Sequence, residues 1–168
     1  MKPSFRRTCQ IQQGSILIIS LVLLLMLSII AIGEISINTT QTRIATDSLD
    51  EQIAFETAEG ALNAATNNLI AGVYTPAAFL AGTNGLYLFN PNNAPIWTTI
   101  NWNNAGSVIN SFQGKSNTQG AYIIEQLPSI IQVGQNMNSP TQVYRITARG
   151  VGPSGNTVVI LQTTMQIQ

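Results

Sequence analysis

From Ser15 the chain runs Ser-Ile-Leu-Ile-Ile-Ser-Leu-Val-Leu-Leu-Leu-Met-Leu-Ser-Ile-Ile-Ala-Ile. Only Ser20 and Ser28 interrupt the apolar residues between Ile16 and Ile32. A helix that is apolar on every side needs lipid or other helices around it. Crossing a bilayer takes about 20 residues, and extension to Ile37 reaches that length at the cost of including Gly33 and Glu34. Each Leu, Ile or Val favours insertion by roughly 0.3–0.6 kcal/mol. A membrane-spanning helix over 15–37 is therefore expected. Lys2, Arg6 and Arg7 precede it, which predicts the leader inside and the C-terminal domain outside.

The order of features at this end is informative. A secretory signal carries its cleavage site behind the apolar segment. Here the processing-like junction Gln12-Gln13-Gly14 lies in front of it. Cutting between Gly14 and Ser15 would remove only residues 1–14 and leave the helix on the mature chain. Glu34 falls about 30 Å along the helix from Ser15, near the outer interface, where a carboxylate costs little; a contact inside a helix bundle is the alternative reading. Gly33 is about 1 kcal/mol worse than Ala in a helix interior and marks a point where the helix could loosen as helices pack.

No proline occurs between Pro3 and Pro76, so the helix is expected to continue past the membrane to about Leu69, over some 55 residues and about 80 Å. Phe55, Ala58, Leu62, Ala65 and Leu69 recur at helical spacing and form the expected head-packing face. Asp47, Asp50, Glu51, Glu56 and Glu59 lie largely off that stripe and read as a solvated face. Gly72 is a plausible stop. Residues 38–70 thus form the outer half of one helix, and 71–168 a head.

Within the head, residues 71–120 are rich in Asn, Gly, Thr and Ala. They read as a long connection with a short helix over Ala77–Leu80. Trp97 and Trp102 suit a small core better than a ligand platform. Strands are expected over 121–127, 142–150 and 158–167, with Gly152-Pro153-Ser154-Gly155-Asn156 as the hairpin loop between the last two. The fold class is α+β: a long N-terminal helix, half of it in the membrane, packed on a C-terminal antiparallel sheet.

Composition removes several function classes. The chain has no histidine, so a His-containing triad or His metal site is excluded. Its one cysteine, Cys9, lies in the leader. Beyond residue 14, four basic residues face seven acidic ones, with none of the Lys/Arg clustering that phosphate contacts require. No nucleic-acid partner is expected. Ser107, Ser111 and Lys115 make a weak Ser–Lys pairing. The glycines of 150–155 lack the Lys-Ser/Thr of a phosphate loop. No catalytic residue, metal site or cofactor emerges, and the chain reads as a non-enzyme.

Gln13-Gly14-Ser15 followed by Ile, Leu and Val resembles a prepilin peptidase site. Arg43-Ile44-Ala45 through Asp50, and Ile53-Ala54-Phe55-Glu56-Thr57-Ala58-Glu59-Gly60-Ala61-Leu62, are similar to the helical signature of the PilX family of type IV pilus minor pilins. Tyr144 to Gly150 with Val159 to Thr164 resembles that family's C-terminal hairpin. The resemblance implies a type IV pilin-like fold and a subunit that primes pilus assembly, at or near the filament tip, supporting twitching motility and adhesion. The implied partners are other minor pilins, the major pilin, a PilY-type tip adhesin, the prepilin peptidase and the inner membrane of a Gram-negative bacterium. Ile19 stands at the fifth mature position, where most prepilins carry Glu. That departure suits a tip or initiating subunit. Alternatives are a type II secretion pseudopilin of the K type, a DNA-uptake pilin, or a membrane-anchored periplasmic enzyme.

Overall fold

The computed structural model describes residues 15–113, 118–134 and 140–167. Its elements are α1 (Ser15–Ile70), α2 (Pro76–Ala81), β1 (Leu86–Leu88), α3 (Ile96–Thr99), β2 (Ile109–Gln113), β3 (Gln119–Ile130), β4 (Thr141–Val151) and β5 (Val158–Ile167). The chain divides into two compact units, one up to Thr46 and one from Asp47 onward. In the first, every described residue is helical and exposed. The second holds the outer turns of α1 and the whole sheet.

α1 ends for a local reason. Gly72 adopts a φ of 68°, which only glycine enters without a Cβ penalty. Its N–H donates to the Leu69 carbonyl at 3.1 Å and the Val73 N–H to the Asn68 carbonyl at 3.1 Å. That pair of bonds is a Schellman motif, and it satisfies carbonyls that the helix end would otherwise orphan.

The sheet has five strands in the order β1-β3-β4-β5, with β2 pairing the other part of β3's free side. β3–β4 and β4–β5 are long antiparallel ladders. β1 is parallel to β3 over Leu86–Leu88, so the expected all-antiparallel, three-stranded sheet is corrected to a mostly antiparallel one of five. The two added strands fall inside 71–120, where turns and one short helix were expected. That helix is α2, and its buried Phe79 stacks at 5.5 Å against Tyr144.

Strand alternation splits β3 between two cores. Tyr122 and Ile124 join Ile146, Ala148, Leu86, Phe79 and the α1 residues Ala61, Ala65 and Leu69 in the main core. Ala121 and Ile123 face the other way and pack with Val108, Tyr87, Trp97 and Trp102. The tryptophans are therefore core material of a second, smaller cluster. The Tyr122 hydroxyl lies 2.6 Å from that of Tyr74 and accepts from Asn68 Nδ2 at 3.0 Å. Burial pushes the Tyr122 phenol far up, so it stays neutral.

The helix face that meets the sheet differs from the expected one by a rotation. Asp50, Ala54, Ala58, Ala61, Ala65 and Leu69 are buried, Leu62 is half-buried, and Phe55 is 46% exposed. The reason is the closeness of the approach. A Cβ at Gly150 would strike the Ala54 carbonyl and the Ala58 backbone, and one at Gly152 would lie 2.7 Å from an Asp50 carboxylate oxygen. A seam this tight admits alanine and excludes phenylalanine, so the helix turns Ala54 inward and Phe55 outward.

Gly150→Ala should therefore force α1 off β4. Overpacking of this kind costs about 1–3 kcal/mol, to be read as a lower melting temperature of the full chain in detergent. A Gly150→Ala chain that melts with wild type would reject the seam.

Candidate functional site

The residues singled out for assembly stand on the exposed part of α1. The helix begins at Ser15, while Gly14 and the rest of 1–14 lie outside the described residues. Ile19 is 57% exposed, Glu34 is exposed, and nothing lies within 4 Å of a Cβ built at Gly33. The hydroxyls along this stretch turn inward on their own helix. Ser20 donates to the Leu17 carbonyl, Ser28 to Leu24, Thr40 to Ser36, Thr42 to Asn38 and Thr46 to Thr42, all at 2.8–3.0 Å. With those donors satisfied locally, the hydroxyls add little cost to placing the helix among apolar groups. The helix is long and apolar enough to cross a membrane.

Asp50 was expected on a solvated face. It is instead buried at the start of the helix stripe, and its carboxylate closes onto the β4–β5 loop. The Ser154 backbone N–H donates to Oδ1 at 2.9 Å and the Ser154 hydroxyl to Oδ2 at 2.7 Å. A bond from the Thr157 side chain foremost, and then these two, hold the Asp50 carboxyl below its ordinary value of 3.8. The signal was present in the sequence: Asp50 stands four residues before Ala54 on the small-residue stripe.

On the other face of the sheet, Glu125 and Arg145 sit directly opposite one another on β3 and β4. Arg145 Nε donates to Glu125 Oε2 and Nη2 to Oε1, both at 2.8 Å, a bidentate pair. The Glu125 side chain is 4% exposed, and the guanidinium stacks on Phe89 at 5.2 Å. The pair lies on the wall of a cavity of about 380 Å³ that is also lined by Leu88, Pro91, Pro95 and Ile96. Glu125 is the only acidic side chain after Glu59, and it meets a half-buried arginine on the neighbouring strand. The Ser–Lys pairing finds no support: the Ser111 hydroxyl donates to the Gly120 carbonyl at 3.1 Å, and Lys115 lies outside the described residues.

The first unit is thus an exposed apolar helix and the second a closed head. Comparison with known families decides what kind of chain this is. The PilX N-terminal family matches residues 13–63, and the type IV pilus assembly protein PilX C-terminal family matches residues 50–167. The chain belongs to the PilX family. It is a type IV pilus minor pilin, of a family whose members are structural pilins that interact with other pilus components. No curated protein and no solved structure matches it significantly.

Within this PilX-family head, the Asp50 contact carries a pH signature. Its folded value is lowered, so the ionised form is the one that folding favours. The contribution is complete above 3.8 and is lost as pH falls through the lower folded value. Asp50→Asn should melt below wild type at neutral pH, and the gap should begin to narrow once pH falls below about 4 and close only beneath the lower folded value. A gap that persists unchanged at pH 3 would show that the Asp50 charge is not what holds the loop.

Proposed function

We propose that this chain is a low-abundance minor pilin that primes pilus assembly at the inner membrane and occupies a place at or near the filament tip. The prepilin peptidase cleaves it between Gly14 and Ser15, with the head on the periplasmic side of a Gram-negative cell. Other minor pilins, the major pilin and a PilY-type adhesin are its partners, and twitching motility and adhesion depend on it.

The observation that carries this reading is the character of the helix that starts at Ser15. It has no charged residue before Glu34, and Ile19 occupies the fifth position after the cleavage point. An ordinary subunit uses a glutamate there to pair with a neighbour's N-terminal amine inside the filament. Ile19 offers no such carboxylate, so the chain forgoes that ion pair, and an end position is where it costs least. Transfer from lipid into a bundle of like helices satisfies the exposed apolar surface through packing.

Removal of the chain from cells should cut surface pili and twitching at least tenfold while leaving type II secretion intact. Pili counted by electron microscopy and secreted enzyme measured in the medium give both readouts. Normal piliation with failed secretion would assign the chain to a secretion pseudopilus instead.

A further inference from the structure

The two sides of the sheet are finished differently. On the β3 side, β1 is three residues long and β2 five, and β2 carries a register shift between Asn110 and Phe112. Short strands and bulges are ordinary ways of blunting an edge. On the other side lies β5, last in the strand order. It is ten residues long, paired to β4 without a register shift from Val158 to Ile167. It contains no proline and no charged residue. Among the described residues, no strand pairs its outer side. Half of its backbone N–H and C=O groups point that way, and charge, proline, bulge and shortness, the usual ways of blunting such an edge within the strand itself, are all missing.

We propose that β5 accepts a strand donated by a different subunit of the same filament, an inference that rests on the pilus reading above. The chemistry of the edge states what the donor must be. Val159, Leu161, Met165 and Ile167 are half-buried on the helix-facing side, with Met165 and Ile167 packed against the main core. Val158 and Ile160 are 43% and 41% exposed on the opposite side. A donor with an aliphatic residue at every second position continues that core past its present rim. A charged donor would place unpaired charge along ten uncharged residues, so the fitting strand is uncharged, with hydroxyl or amide side chains between the aliphatic ones. A second copy of this chain is a poor donor. Antiparallel pairing of two identical edges, with α1 kept on one face of the joined sheet, turns the second helix end for end. Two chains entering from the same side of one membrane cannot adopt that pairing.

The test uses the full chain in detergent and a terminally blocked peptide of the sequence Val158–Ile167 with lysines appended at both ends. Between those terminal lysines the peptide is an alternating strand with no charge of its own, freed of the anchor. Amide hydrogen exchange of β5 should slow at least tenfold on peptide addition, with α1 unchanged. Gln162→Lys with Thr164→Lys places two charges on exposed positions of β5; a lysine at 162 still offers a donor to Thr147, which Gln162 Nε2 reaches at 2.8 Å. This variant should melt like wild type and bind the peptide roughly tenfold more weakly. Unchanged exchange at β5, or equal binding by the variant, would overturn the assignment. So would a dimer of the chain alone that the two lysines dissolve, since the occupant would then be a second copy. In cells lacking the chain, the variant should reach the membrane at wild-type level and fail to restore pili. Full restoration refutes the role of β5, whereas unchanged pili on removal of the chain itself refutes the pilus reading.

Discussion

The head depends on how closely α1 approaches β4. Ala54 and Ala58 on the helix and Gly150 on the strand leave no room for a further carbon between the two backbones. These residues bury little apolar area, so they contribute modestly to the hydrophobic term. Their role is to set a distance. Once it is set, Tyr122, Ile124, Ile146, Ala65, Leu69 and Phe79 fill the wider space beyond the seam, and Asp50 comes within hydrogen-bond reach of the β4–β5 loop.

The two units meet water in opposite ways. From Asp47 onward the chain buries an apolar stripe, a sheet face and a bidentate ion pair, and no described buried side-chain nitrogen or oxygen lacks a partner. Between Ser15 and Thr46 it buries no described residue, and its large aliphatic residues there are 45–70% exposed. A surface of that kind is stable only in lipid or among other helices. A pilus supplies both environments in turn, the membrane before assembly and the helix bundle after it, which is why a pilin can keep its anchor.

Much of this was legible in the residues. The apolar run from Ser15, the absence of proline to Pro76 and the glycine at 72 define α1, because local propensity and length suffice to specify it. β3, β4 and β5 were legible from their β-branched and aromatic content. The exact helix face was not. Phe55 outranks Ala54 on any hydrophobic scale, and only the glycine backbone across the seam reveals that size rather than apolarity decides. β1 was hidden because three residues carry no periodicity and its parallel pairing is set by contacts with β3 distant in sequence. The partners of Asp50 and Glu125 lie 104 and 20 residues away, beyond the reach of local pattern, although a lone acid on an apolar stripe and a lone acid in an apolar strand each pointed to a buried partner.

The central claim is that the helix begins the mature protein. The most direct measurement is the N-terminal residue of the protein recovered from membranes of cells with and without prepilin peptidase. The account predicts Ser15 in the first case and the intact leader in the second. An intact Met1 in both would contradict it and leave a single-span anchored protein that never enters a filament.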